Sequence, residues 1–86
     1  MKTFHLTVST PDGNAYHGEA VQISVRGVEG DLAVLAGHTP FVTPLKPCSC
    51  VITLPEETKK NGRIEGGLLT VSRTAVTVLS ASFRWA

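Results

Sequence analysis

Apolar and polar residues alternate along most of this chain with the period of a β-strand. Phe4, Leu6 and Val8 alternate with His5, Thr7 and Ser9. Val21, Ile23 and Val25 alternate with Gln22, Ser24 and Arg26, and Val76 and Val78 flank Thr77. A period of two sends successive side chains to opposite faces of a sheet, so each run predicts a half-buried strand. β-Branched residues dominate the runs, as a pleated surface favours. No helix is expected, because Gly, Pro or β-branched runs interrupt every stretch long enough to form one.

Turn chemistry separates the runs. In Thr10-Pro11-Asp12-Gly13 the proline presets φ and the glycine takes the left-handed position. Gly27 and Gly30 flank Val28-Glu29, and Gly37-His38-Thr39-Pro40 makes a further loop. Lys60-Asn61-Gly62-Arg63 carries the Asn-Gly pair of a tight hairpin turn. Gly66-Gly67 precedes a strand from Leu68 to Ser72, and Arg73-Thr74 turns into Ala75 to Leu79. Pro44 and Pro47 predict an edge or a corner. The expected fold is all-β: an antiparallel β-sandwich or flattened barrel of about ten short strands.

Composition narrows this picture. A length of 86 residues allows one domain, residues 1–86. With 42% hydrophobic residues the chain can build a core, although a chain this short buries only about 60–65% of its unfolded surface. A net charge of +1 gives no electrostatic argument for nucleic acid or an anionic membrane surface. No apolar run approaches the roughly 18–20 residues that span a bilayer. The N-terminal residues pass straight into alternation without the apolar core of a secretory signal. These features predict a protein on the cytoplasmic side and leave docking on a membrane complex open. Cys48 and Cys50 are the two cysteines. A disulfide between residues two apart would be strained, and a lone Cys-x-Cys is a poor zinc site, so both read as free thiols.

Candidate chemistry is sparse. Gly27-Val28-Glu29-Gly30 lacks the following Lys-Ser/Thr of a phosphate loop. The spacing of His5, His17 and His38 predicts no metal site, since at least three ligands would have to converge. A nucleophile relay meets only in space, but so short a chain has little room for a water-excluding pocket beside its core. No catalytic residue, cofactor, metal or small-molecule substrate is therefore expected. The polar segment Pro55 to Arg63 reads as a solvated hairpin. Asp31 and His38 bracket the short strand Leu32 to Ala36, which would span about 17 Å if straight. They either keep their loops soluble or face a common partner. Trp85 either covers the edge of the sandwich or belongs to an exposed patch.

Several segments together resemble the N-terminal domain of the epsilon subunit of F-type ATP synthase, named delta in mitochondria. They are Phe4-His-Leu-Thr-Val8 with Thr10-Pro-Asp-Gly13, Tyr16-His-Gly-Glu19 leading into Val21 to Val25, and Gly27-Val-Glu-Gly-Asp-Leu-Ala-Val-Leu-Ala-Gly-His-Thr-Pro40. Gly66-Gly-Leu-Leu-Thr-Val71 and Val76-Thr-Val-Leu79 resemble the closing hairpin. Ala33 and Ala36 stand where that family commonly has Gly and Pro, Asp31 stands for Glu, and Cys48 stands where a Gly is usual. The resemblance implies a non-catalytic rotor subunit of the central stalk that links the gamma subunit to the membrane c-ring. It implies that Glu29, Asp31 and His38 face the ring, with Asp31 meeting a basic side chain. Family members usually continue into a C-terminal helical hairpin, whereas this sequence ends at Ser82-Phe83-Arg84-Trp85-Ala86. No inhibition of ATP hydrolysis and no nucleotide binding through that element are therefore expected. The alternative is a free-standing β-sandwich that recognises a peptide or glycan through its loops.

Overall fold

The structure is a computed structural model that describes residues 2–37 and 39–86. These residues form eight strands: β1 (Phe4–Thr10), β2 (Gly13–Ala20), β3 (Gln22–Gly27), β4 (Gly30–Leu35), β5 (Phe41–Thr53), β6 (Lys59–Val71), β7 (Ala75–Leu79) and β8 (Phe83–Trp85). They make one continuous sheet in the order β2-β1-β7-β6-β5-β3-β4, with β8 paired to β6. Neighbours are antiparallel except β1 and β7, which run parallel.

The sheet becomes a sandwich because β5 and β6 pass from one layer to the other. In β5, Leu45 is buried and Phe41 and Thr43 are partly so, but beyond Pro47 the buried positions are Cys48, Cys50 and Ile52. The inward side changes from odd to even numbers at Lys46-Pro47. In β6 it changes from even (Gly62, Ile64) to odd (Leu69, Val71) across Gly66-Gly67. The two switches lie opposite each other, since Leu45 pairs with Gly67 and Pro47 with Glu65. Strands that change layers in this way form the corners of a folded sheet. Gly67 has φ +144°, and a Cβ there would collide with the Leu79 carbonyl oxygen, so only glycine fits this corner. The first layer is β2-β1-β7 with the 67–71 half of β6 and the 41–45 half of β5. The second is β8, the 59–65 half of β6, the 47–53 half of β5, β3 and β4.

One core fills the space between the layers. Leu6, Val8, Leu69 and Val78 come from the first layer, and Ile23, Val34, Ile52 and Ile64 from the second; each is fully buried. The open side between β2 and β8 is covered by aromatic rings. Phe83 and Trp85 meet edge to face with centroids 4.7 Å apart, and Tyr16 approaches Trp85 at 6.4 Å. Trp85 therefore covers the edge of the sandwich while remaining 43% exposed.

Some expectations change. The strand count is eight rather than about ten, because β5 and β6 are each 13 residues long. Asn61-Gly62 is not a turn but lies inside β6, where Gly62 pairs with Cys50 and Trp85. The glycine is needed for close approach, because a Cβ would strike the Phe83 ring. The hairpin instead reverses near Pro55–Thr58, where the Leu54 N–H donates to Thr58 O and Glu57 adopts φ +70°. Gly66-Gly67 bends β6 instead of preceding a new strand. Residues 59–63 are a strand, not part of a solvated loop. The short strand after Asp31 is Gly30–Leu35 and includes Asp31.

Candidate partner-binding end of the sandwich

The β3–β4 hairpin shapes one end of the molecule. Gly27 pairs with Gly30, leaving Val28-Glu29 as a two-residue loop. The Val28 N–H donates to the Pro44 carbonyl at 3.3 Å, which ties the loop to β5. Val28 and Glu29 are exposed. One step back from the loop, Arg26 and Asp31 stand opposite each other, and Arg26 Nε donates to Asp31 Oδ1 at 2.7 Å. This hydrogen bond, then the carboxylate charge, raises the Arg26 pKa above its ordinary value. Both side chains are well exposed, at 58% and 76%, so the pair orders Asp31 more than it stabilises the fold.

A groove of about 360 Å³ lies beside this hairpin, and its lining includes Glu29, Asp31, Phe41, Val42 and Thr43. The loop bearing the two acids thus shares one surface with the chain that follows Pro40. Glu29 and Asp31 are brought together there. His38, the third expected site residue, lies outside the described residues.

Two features escaped the sequence reading. The first is the Arg26 partner of Asp31, although a two-residue loop between Gly27 and Gly30 necessarily puts residue 26 opposite residue 31. The second is the approach of His5 and His17, whose rings meet edge to face at 4.5 Å. The β1–β2 register explains it, pairing His5 with Glu19 and Thr7 with His17. His5 Nδ1 lies 3.6 Å from Glu19 Oε2, and His17 Nδ1 lies 3.3 Å from Thr7 Oγ1. Among the described residues no group of three or more His, Cys, Asp or Glu is placed to hold a metal ion.

The cysteines are free and buried. Cys48 Sγ accepts the Arg26 N–H at 3.4 Å and lies 3.9 Å from the Arg26 carbonyl oxygen. It occupies the place where the β3–β5 ladder breaks, between the Ser24–Val51 and Gly27–Leu45 pairs. Burial, then the charge of Cys48, pushes the Cys50 thiol up to about 12, so it stays protonated and unreactive near neutrality.

The sequence profile of the family described as "ATP synthase, Delta/Epsilon chain, beta-sandwich domain" matches residues 3–86. The chain belongs to this family. Among curated relatives of this Delta/Epsilon-type sandwich, the ATP synthase epsilon chain of Afipia carboxidovorans is 41% identical over 80 residues, covering 93% of this chain and 58% of the relative. The epsilon chain of Bradyrhizobium sp. (strain ORS 278) is 40% identical with the same coverage. The chain thus spans just over half the length of the curated relatives it matches. A chain of the Euglena gracilis mitochondrial ATP synthase, in a structure of OSCP, F1 and c-ring, superposes with a TM-score of 0.91 at 25% identity, over 96% of this chain and 53% of that one. A chain of the Tetrahymena thermophila mitochondrial central stalk and c-ring superposes with a TM-score of 0.80 at 17% identity, over 95% and 66%, and shows the shared fold alone.

Proposed function

We propose that this domain is a non-catalytic part of the central stalk of an F-type ATP synthase, on the cytoplasmic face of the membrane, where it joins the gamma subunit to the c-ring. The observation that carries this reading is the family match over residues 3–86 with about 40% identity to epsilon chains. The Euglena relative comes from an assembly that contains a c-ring, which supports the same role. Coupling ring rotation to ATP synthesis then requires no chemistry from this domain, only stiffness and two adhesive surfaces.

Glu29, Asp31 and His38 form the ring-facing end in this reading. Exposed ion pairs are worth only about 0.2–1 kcal/mol each, so they set register more than they hold the rotor. Adhesion falls to apolar area. The outward side of the first layer supplies it: Pro44, Leu68 and Leu79 stand side by side on β5, β6 and β7, with Val42 next to Pro44 on the same side. Val42 is 60%, Leu79 47% and Leu68 37% exposed. Burying such area gives roughly 25 cal/mol per Å² before the costs of association. Val42 also lines the groove of Glu29 and Asp31, so the gamma-facing and ring-facing surfaces are continuous.

The test is co-purification with gamma and with detergent-solubilised c-ring. Both should be captured, and Asp31→Lys should weaken ring capture while gamma capture and the fold persist. Capture of neither partner by the wild type would overturn the reading. Equal ring capture by the variant would remove Asp31 from it.

A further inference from the structure

The outward side of the second layer carries a cleft that adjoins the ring-facing hairpin at Asp31. Between the Ser24–Val51 and Gly27–Leu45 pairs, β3 advances three residues while β5 advances six. At this break in the ladder lies a crevice of about 600 Å³. Ser24, Arg26, Asp31, Cys48, Ser49 and Arg63 are among its lining. Ser49 has no ladder partner on β3.

The charges around the crevice are arranged for an anion. Ser49, Arg63 and Arg84 lie in one row across β5, β6 and β8. Arg63 and Arg84 are directly opposed and exposed, and like charges so placed destabilise a sheet. Lys59 extends the positive charge along β6. Arg63 has Glu65 at 3.6 Å and Arg26 has Asp31, which leaves a net excess of two positive charges among the six charged groups on this face.

We propose that this crevice binds an extended acidic segment of a partner polypeptide, with Arg26, Arg63 and Arg84 as its carboxylate-binding residues. Arg26 on β3 and Arg84 on β8 are three strand spacings apart, about 14 Å, which is too far for one phosphate to bridge. Alternate residues of an extended chain are about 7 Å apart, within reach of arginines on neighbouring strands. A guanidinium already bonded to one carboxylate keeps donors for another, because it has five N–H groups. A flat bilayer does not enter a concave crevice. The proposal does not depend on the rotor assignment. Loss of ring or gamma capture would leave it intact, and its own failure would leave that assignment standing.

The test is an NMR titration of the chain with an acetylated, amidated Glu-Ser-Glu-Ser-Glu peptide. The amides of Ser24, Arg26, Ser49, Arg63 and Arg84 should shift, and the matching lysine peptide should leave them unmoved. Arg63→Gln and Arg84→Gln should each weaken binding by up to about fivefold, and Arg73→Gln, away from the crevice, should not. Arg84→Gln should also raise the unfolding midpoint of the free protein, because it removes the opposed charge, so its effects on binding and stability have opposite signs. A merely structural arginine would lower both. Shifts scattered over every Lys and Arg would overturn the proposal, as would equal shifts with inorganic phosphate at the same concentration. Capture of the protein by phosphatidylglycerol vesicles through these same arginines would overturn it in favour of a lipid surface.

Discussion

The two outer faces of the sandwich differ more than their shared strands suggest. On the first layer, the outward residues of β5, β6 and β7 are mostly uncharged: Val42, Pro44, Leu68, Thr70, Thr77 and Leu79. On the second layer, the same β5 and β6 present Ser49, Lys59, Arg63 and Glu65, and β3, β4 and β8 add Arg26, Asp31 and Arg84. Alternation alone does not distinguish the faces. The change of parity at Lys46-Pro47 and Gly66-Gly67 does, because it decides which set of side chains points outward on either side of the corner. One long hairpin thereby carries an apolar surface at one end and a charged surface at the other.

The most severe way to break that division is at the corner. Gly67→Ala puts a methyl group against the Leu79 carbonyl in a backbone conformation that L residues rarely adopt. The expected loss is on the order of 3 kcal/mol or more, read from urea unfolding. A loss below about 1 kcal/mol would mean that the corner relaxes easily and that the faces are not rigidly assigned.

A change confined to the first face comes next. Leu68→Glu should reduce gamma capture at least tenfold if the Pro44–Leu68–Leu79 row lies at the centre of that contact, since a central anchor is worth about 2 kcal/mol or more. Leu68 is partly exposed and outside the core, so the unfolding midpoint should change little. Unchanged capture would move the gamma surface away from this face.

Under the second face, Cys50 should make stability fall with rising alkalinity. Its folded pKa is raised from 9.0 to about 12, chiefly by burial. The unfolded chain then loses the thiol proton first and binds fewer protons, so stability declines as pH rises from about 9 towards 12. Cys50→Ala should flatten this decline between about pH 9 and pH 11, measured as the difference in urea midpoints. Identical slopes would mean that water reaches Cys50 through the crevice.

Much of this architecture was legible in the sequence, and the exceptions share a cause. The runs of β1, β3 and β7 follow simple alternation because each stays in one layer. The corner expected at Pro44 and Pro47 lies within β5 at Lys46-Pro47, whereas the Asn-Gly and Gly-Gly pairs of β6 look like turn signals and lie inside one strand. Gly62 in fact makes room for a ring from β8, and Gly66-Gly67 bends a strand without ending it. Such uses depend on residues distant in sequence. At the candidate site, the Gly-x-x-Gly loop and the adjoining acids were readable. The apolar row was not, because Val42, Leu68 and Leu79 become neighbours only through pairing, and Leu68 looks like a core residue until the parity change turns it outward.

The smallest expected effect concerns Arg26 and Asp31, which link the ring-facing end to the basic face. Their pair is short, at 2.7 Å, but exposed. A double-mutant cycle with Arg26→Gln and Asp31→Asn should therefore give only a small coupling in stability, smaller still at high ionic strength. The binding readouts should separate more clearly than stability does. Asp31→Asn should weaken ring capture and leave the acidic peptide bound, whereas Arg26→Gln should weaken the peptide. Arg26→Gln also leaves Asp31 charged but free to rotate, so any accompanying loss of ring capture measures how much the arginine contributes by holding the carboxylate in place. If both variants weakened both partners equally, the two surfaces would act as one site, and the division between the faces would end at this hairpin.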